Sequence, residues 1–300
     1  MLNVSLRGFG ATIAAASILA LAGTPGASGA VVNLGGAANY AVLGIGGTIS
    51  MQSDFQTYQS GTVINGNVGM GPYSTWTHGI DATIHGRVDC DLTDSVPTVT
   101  GTITGGIHQI SMVSIVADAR SASAAAAAFA PTQTFATLTS GQTIIGNGGL
   151  NVIRVTGDIG LSGGSSTLNL LGGALDRFLF QITAADAPSA HTLTLSGVTM
   201  TLSGGVTAGN ILWDMNGAGG GIVISSGATV FGTFLAPDRG ILVDHGNITG
   251  AVIGGGGADS HSNSVSVHSS SQITLPAPSA VGLAAGLGLV LTRRSRSKCR

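Results

Sequence analysis

The chain has 300 residues, 49 of them Gly, only 8% charged, with a formal net charge of −2. Lys298 is the single Lys and Glu does not occur; surface helices draw on Glu, Lys, Gln and Arg, so a mainly helical protein is excluded. Mean hydropathy is +0.44, too high for a disordered chain, yet no apolar run reaches the roughly 18–20 residues of a membrane span.

The first element is an export signal. Arg7 is followed by an apolar stretch over residues 9–22, broken only by Gly, Thr and Ser, and then by Ser28-Gly29-Ala30. Small residues at the −3 and −1 positions predict a signal peptide over 1–30, cut after Ala30.

Residues 31–110 read as short strands. Ala38 to Gly44, Thr62 to Gly69, Ala82 to Val88 and Thr98 to Gly105 are β-branched segments closed by Gly or Asn. Ile64-Asn65-Gly66-Asn67-Val68 returns as Ile84-His85-Gly86-Arg87-Val88, and loosely as Ile248-Thr249-Gly250-Ala251-Val252. Such copies at uneven spacing describe rungs of a coil with variable insertions. One helix interrupts them over 111–129, with an apolar face from Met112, Ile115, Val116 and Ala119 and an Ala-rich run at 122–128; Pro131 stops it. Strands resume from Gln142 over 150–155, 168–171, 177–183, 191–203, 210–215, 221–234 and 240–253. Strands without alternating helices exclude a doubly wound α/β fold. Gly-punctuated strands with few aromatics favour an all-β right-handed β-helix with one helix alongside and a short apolar helix at each terminus.

Asn33-Leu34-Gly35 with Asn39-Tyr40-Ala41-Val42-Leu43, then Asn65-Gly66-Asn67-Val68-Gly69, resembles the opening of the bacterial ice-binding-protein-like family. The Ala-rich helix, Phe178-Leu179-Phe180-Gln181-Ile182 and Asn210-Ile211-Leu212-Trp213 follow in that family's order. Gly232-Thr233-Phe234-Leu235-Ala236-Pro237 and the stretch 246–253 are closer to the choice-of-anchor A surface domains. The resemblance covers about residues 32–256 and implies a right-handed β-helix, exported and often tethered.

Beyond the β-helical domain at 31–256, a Gly/Ser/His-rich linker is expected over 257–275. The tail at 276–300 opens with Pro276-Ala277-Pro278-Ser279, continues through an apolar run from Ala280 to Leu291, and closes on Arg293, Arg294, Arg296, Lys298 and Arg300. Its order of Pro-rich motif, short span and Arg cluster resembles the PEP-CTERM sorting signals. Twelve residues span about 18 Å as a helix, short of a hydrocarbon core of about 30 Å. Transient membrane residence and cleavage near Pro276 to Ser279 are expected. Without both ends, residues 31–278 hold five Arg against 13 Asp, a balance of −8. That argues against nucleic acid, which needs a basic footprint.

Candidate site residues are few. Thr98, Thr100, Thr102 and Thr104 alternate along one expected strand, and Thr192 and Thr194 along another; rows of hydroxyls and methyls could order water or ice. Asp89, Asp91 and Asp94 form an acidic segment with Ca²⁺-type oxygens. Cys90 has no exported partner and reads as a buried structural thiol. The mature chain carries no Gly-x-Ser-x-Gly elbow and no phosphate loop. The expectation is therefore a non-catalytic, envelope-associated surface protein acting in adhesion, matrix or surface architecture. The alternatives are an ice-binding protein using Thr-rich faces and a polysaccharide-active β-helix enzyme. No cofactor is expected. Expected partners are the export machinery, a sorting enzyme and an extracellular polysaccharide, another surface or ice, with membrane contact through the tail.

Overall fold

The computed structural model describes residues 31–52, 61–79, 81–98, 100–182, 191–257 and 264–276. The expected signal peptide and most of the sorting tail, including Pro278, Arg293, Arg294 and Arg296, lie outside these residues. The described chain is mostly β with one helix, and all its strand pairings are parallel. The strands stack into a three-faced coil. Strands Thr229–Ala236 and Asn247–Gly254 run around one corner and merge two faces into a 17-stranded sheet; the third face is a separate 7-stranded sheet.

The order of rungs does not follow the order of residues. Strands from Tyr40–Gly44 to Ile107–Ile110 build one end of the coil. The helix α1 (Val113–Ala127) then runs back along the first face, and the chain starts again at the far end with Gln133–Phe135. From there it climbs until it meets its own beginning. Asn247–Gly254 pairs with Tyr40–Gly44, Ser264–His268 with Thr48–Gln52, and Gln272–Thr274 with Val63–Asn65. The region expected as a linker at 257–275 thus supplies two strands to the coil: its Ser-Val-Ser-Val alternation buries Val265 and Val267.

The recurrent Gly motif marks a corner. Ile64 and Ile84 pair, as do Val68 and Val88, with Gly66 and Gly86 between them. At Gly250, where φ is +156°, a Cβ would overlap the carbonyl oxygen of Gly232 in the next rung. Only Gly lets backbones stack this closely at a bend. The expected strand at 191–203 divides at Gly197, φ +65°, into Leu193–Ser196 and Thr199–Ser203 on different faces.

Inside the coil, side chains of like shape stack rung on rung. Phe180, Trp213 and Phe234 are register neighbours, with ring centroids 3.9 and 5.7 Å apart and nearly parallel planes. The outer side of the first face is buried as well. Leu43, Leu179, Leu212, Leu235 and Ile253 meet Ala119, Ala122 and Ala126 of α1. Small helix residues let α1 lie close to the sheet, so the buried seam is formed by Ala and Ser123 more than by the expected Ile115 and Val116.

Candidate functional site

The second face of the coil is a threonine face. Its central inward row is aliphatic: Val230, Ile248, Ile273, Ile64 and Ile84 pair in sequence, all buried. Leu168 pairs with Met200 farther along, and Ile103 with Ile84 at the end. Closely packed aliphatic side chains thus underlie successive rungs of this face.

Strand alternation turns the flanking residues outward. One outer row runs Thr167, Thr199, Thr229, Asn247, Gln272, Val63, Thr83 and Thr102. The parallel row holds Thr143, Asn169 and Thr201, then Phe231, Thr249, Thr274 and Asn65. His85 and Thr104 continue it two residues beyond Thr83 and Thr102. Rungs repeat every ~4.8 Å, and the two rows lie roughly 6.7 Å apart along the strand direction. Side chains bond along the second row: Asn65 Nδ2 donates to Thr274 Oγ1 at 3.0 Å, Asn169 Nδ2 to Thr143 Oγ1 at 3.3 Å, and Thr201 Oγ1 to Asn169 Oδ1. Neither row contains Asp, Glu, Lys or Arg.

The structure divides the sequence candidates. Thr102 and Thr104 lie at one end of the threonine face, where only Thr102–Ile103 is a strand. Thr98 and Thr100, expected in the same strand, belong instead to the loop that closes the coil, and Thr100 Oγ1 donates to the His78 carbonyl. Among the described residues that loop makes no strand pairing with Thr75–His78, the last strand of the third face. Thr192 and Thr194 sit on the third face, Thr192 just ahead of strand Leu193–Ser196, with Thr192 N donating to Asp158 Oδ1 at 2.8 Å. The third face mixes Ser and Thr with Val223, Leu242, Asp244 and His268. Most of the threonine face escapes inspection of the sequence because each rung contributes only one or two Thr.

The acidic segment takes separate partners under and around α1. Asp89 accepts hydrogen bonds from Tyr40 Oη at 2.7 Å and Arg87 Nε at 2.8 Å; burial, then the Asp89 contact, raises the Tyr40 hydroxyl pKa. Asp91 accepts from Thr93 N and Oγ1 and from Met112 N, bonds that outweigh burial and hold its pKa below the usual carboxylate range. Asp94 is buried, which raises its pKa against the opposing influence of the nearby Tyr73 and Ser74 backbone, and its Oδ2 has no hydrogen-bond partner. Among the described residues no three His, Cys, Asp or Glu side chains are arranged to hold a metal ion. Cys90 is buried in the coil, its pKa raised first by burial and then by Asp94.

Two buried polar arrangements gave no signal in the sequence. Arg239 is fully buried and donates to the carbonyls of His191, Asn216, Gly217 and Gly220. Asp214 lies buried beneath α1, where Ser123 Oγ donates to its Oδ1 at 2.6 Å while Oδ2 has no partner. A cleft lined by Val31, Val32, Leu34, Ile211 and Leu212 is apolar and has no titratable side chain. Among the described residues no helix is long and apolar enough to cross a membrane.

A family model for an ice-binding-like adhesive domain matches residues 8–268. No match was found among curated proteins. Among solved structures, the chain is similar to an ice-binding protein from the Antarctic ascomycete Antarctomyces psychrotrophicus, with a TM-score of 0.54 and 21% identity over 82% of this chain and 98% of that one. An antifreeze-active ice-binding protein from an Arctic yeast gives 0.53 and 21% over 82% and 96%. The Shewanella frigidimarina ice-binding protein domain gives 0.54 and 19% over 82% and 98%. At these identities the likeness establishes the fold. The matched family and these neighbours are ice-binding or adhesive proteins, not enzymes.

Proposed function

Because the chain belongs to the ice-binding-like adhesive domain family, we propose that it is an exported, non-catalytic surface protein that adheres to ice through its threonine face. The observation that carries this reading is the pair of outward rows, rich in Thr and Asn, over a continuous aliphatic core row. Each Thr offers a hydroxyl that can bond a water and a methyl that cannot. Repeated at ~4.8 Å along the coil, the two groups favour water held in a lattice over mobile solvent. The lack of Asp and Arg in both rows matters too, because an ion holds its own hydration shell in a geometry unlike ice.

The remaining features describe delivery. Residues 1–30 act as the signal peptide, and the tail from Pro276, with Arg293, Arg294 and Arg296, engages a sorting enzyme after transient membrane residence. The tail is PEP-CTERM-like, the anchor arrangement is that of the choice-of-anchor A group, and the source is bacterial. The apolar termini are helical before processing, and the coil is right-handed. A second reading, adhesion to another surface or a polysaccharide, is favoured by the third face, where Asp244 and His268 are register neighbours.

The test is ice shaping and recrystallisation inhibition by the purified chain at micromolar concentration. Thr201→Tyr with Thr249→Tyr should reduce activity at least tenfold by lifting the face off a flat lattice. Thr194→Tyr on the third face should leave it unchanged. Loss of activity only with Thr194→Tyr would move the site to the third face, and no ice shaping by the unmodified chain would end the ice reading.

A further inference from the structure

Among the described residues eight large apolar side chains stand exposed, and four gather at the end of the coil closed by Thr102–Ile103 and Ile107–Ile110: Tyr73 at 81%, Leu92 at 65%, Val96 at 58% and Val113 at 60%. They share no strand; one buried carboxylate fixes the position of Val113, and a second lies near the turn at Tyr73. Asp91 Oδ2 accepts the Met112 N–H at 2.7 Å, which sets Val113 beside the end of strand Val88–Asp91. The buried Asp94 side chain lies near the backbone of Tyr73 and Ser74, which places the turn at 73 beside the loop that carries Leu92 and Val96. Tyr73 has φ +62°, a strained backbone for a bulky residue, which persists only where the surroundings hold it. The turn is thus built to keep a Tyr ring in solvent.

Shape and chain path select the partner. Tyr73 and Leu92 lie in turns, Val96 in a loop and Val113 at the first residue of α1; an apolar knob built from such scattered, strongly exposed side chains fits a deformable apolar medium better than a rigid protein groove. Tyr beside aliphatic residues suits a bilayer interface. Asp89 and Asp91 are buried and hydrogen-bonded and Asp94 is buried, so they offer little repulsion to lipid headgroups. The chain leaves the coil near the same end. Leu275 N donates to Asn65 O at 3.0 Å. From Gln272–Thr274 the pairings run to Val63–Asn65, Thr83–Ile84 and Thr102–Ile103, three rungs or about 14 Å. The apolar run of the tail begins at Ala280, and a four-residue step from Pro276 spans at most about 14 Å. The other end lies five rungs off, about 24 Å, through Asn247, Thr229, Thr199 and Thr167 to Gly141.

We infer that this end of the coil is a lipid-facing surface, with Tyr73, Leu92, Val96 and Val113 entering the interfacial layer of the bilayer that the chain's own C-terminal segment occupies. The inference rests on the proposed membrane residence of the tail and is independent of ice binding by the threonine face. The coil axis then stands away from the membrane, and the threonine face is presented sideways along its length.

The experiment uses the full-length chain with Cys299→Ser, a nitroxide at Val96→Cys or at Leu175→Cys, and vesicles of phosphatidylcholine and phosphatidylglycerol. Cys90 is buried and stays unlabelled. Leu175 is a matched control, 78% exposed but toward the opposite end. The chain should float with the vesicles, and the label at 96 should gain oxygen accessibility over a polar nickel chelate while the label at 175 stays aqueous. Adding Tyr73→Ser and Leu92→Ser should reduce the lipid contact at 96 about fivefold or more without abolishing flotation. A label at 96 that stays aqueous on floating vesicles overturns the inference and leaves the tail anchor standing. A chain that does not float overturns both. Protection at 96 without vesicles, growing with protein concentration, assigns the knob to a second copy and likewise overturns the lipid assignment.

Discussion

Asp214→Asn offers the sharpest test of how α1 is held. Burial beneath the helix pushes the Asp214 carboxyl from 3.8 up to about 7, against the opposing pull of the Ser123 hydrogen bond and the Arg239 charge. A carboxyl held protonated in the folded state and released in the unfolded one makes stability fall as pH rises. The contribution is complete below pH ~4, declines between ~4 and ~7, and is flat above. About three pKa units at ~1.4 kcal/mol each place the loss near 4 kcal/mol at pH 8. Asn keeps an oxygen for Ser123 Oγ and cannot ionise. The difference in stability between variant and unmodified chain should therefore grow by about 4 kcal/mol from pH 4 to pH 8, or roughly 8–16 °C in Tm for a domain of this size. Thermal melts by circular dichroism at pH 4, 6 and 8 give the number. Comparing the two proteins cancels other groups in the window: His78 and His268, whose pKa values burial lowers, contribute the opposite slope, and Asp94, also raised by burial, the same slope. Parallel Tm curves for the two proteins would refute the reasoning.

Gly250→Ala places a methyl against the Gly232 carbonyl at φ +156°, and should prevent folding or lower Tm by more than 10 °C in a melt of soluble protein, whereas Gly227→Ala, with open space around it, should lose only a few degrees from its φ of +79°. Arg239→Lys should cost at least about 2 kcal/mol in urea unfolding, because an ammonium cannot reproduce the fork that holds four carbonyls.

Much of this architecture is legible in the amino-acid sequence. Missing Glu, scarce Lys and β-branched segments between glycines specify short strands, because local propensity and turn chemistry act over a few residues. Ile64-Asn65-Gly66-Asn67-Val68 and its copies marked the corner, since Gly there answers to a backbone contact that every rung repeats. Pro131 bounded the helix for an equally local reason. The order of rungs was decided by tertiary structure alone. Loops of unequal length hide the repeat, and the return of the chain along α1 joins its end to its beginning, so that Asn65 bonds Thr274 across 209 residues of sequence. For that reason Thr98 and Thr100 look like a ladder on paper and close the coil in space. The threonine rows gather from segments as distant as Thr83, Thr199 and Thr274. A row of side chains across a sheet is a property of register, and register between remote strands is set by which buried Ile, Val and Phe side chains stack inside the coil, a choice that no single strand carries in its own residues.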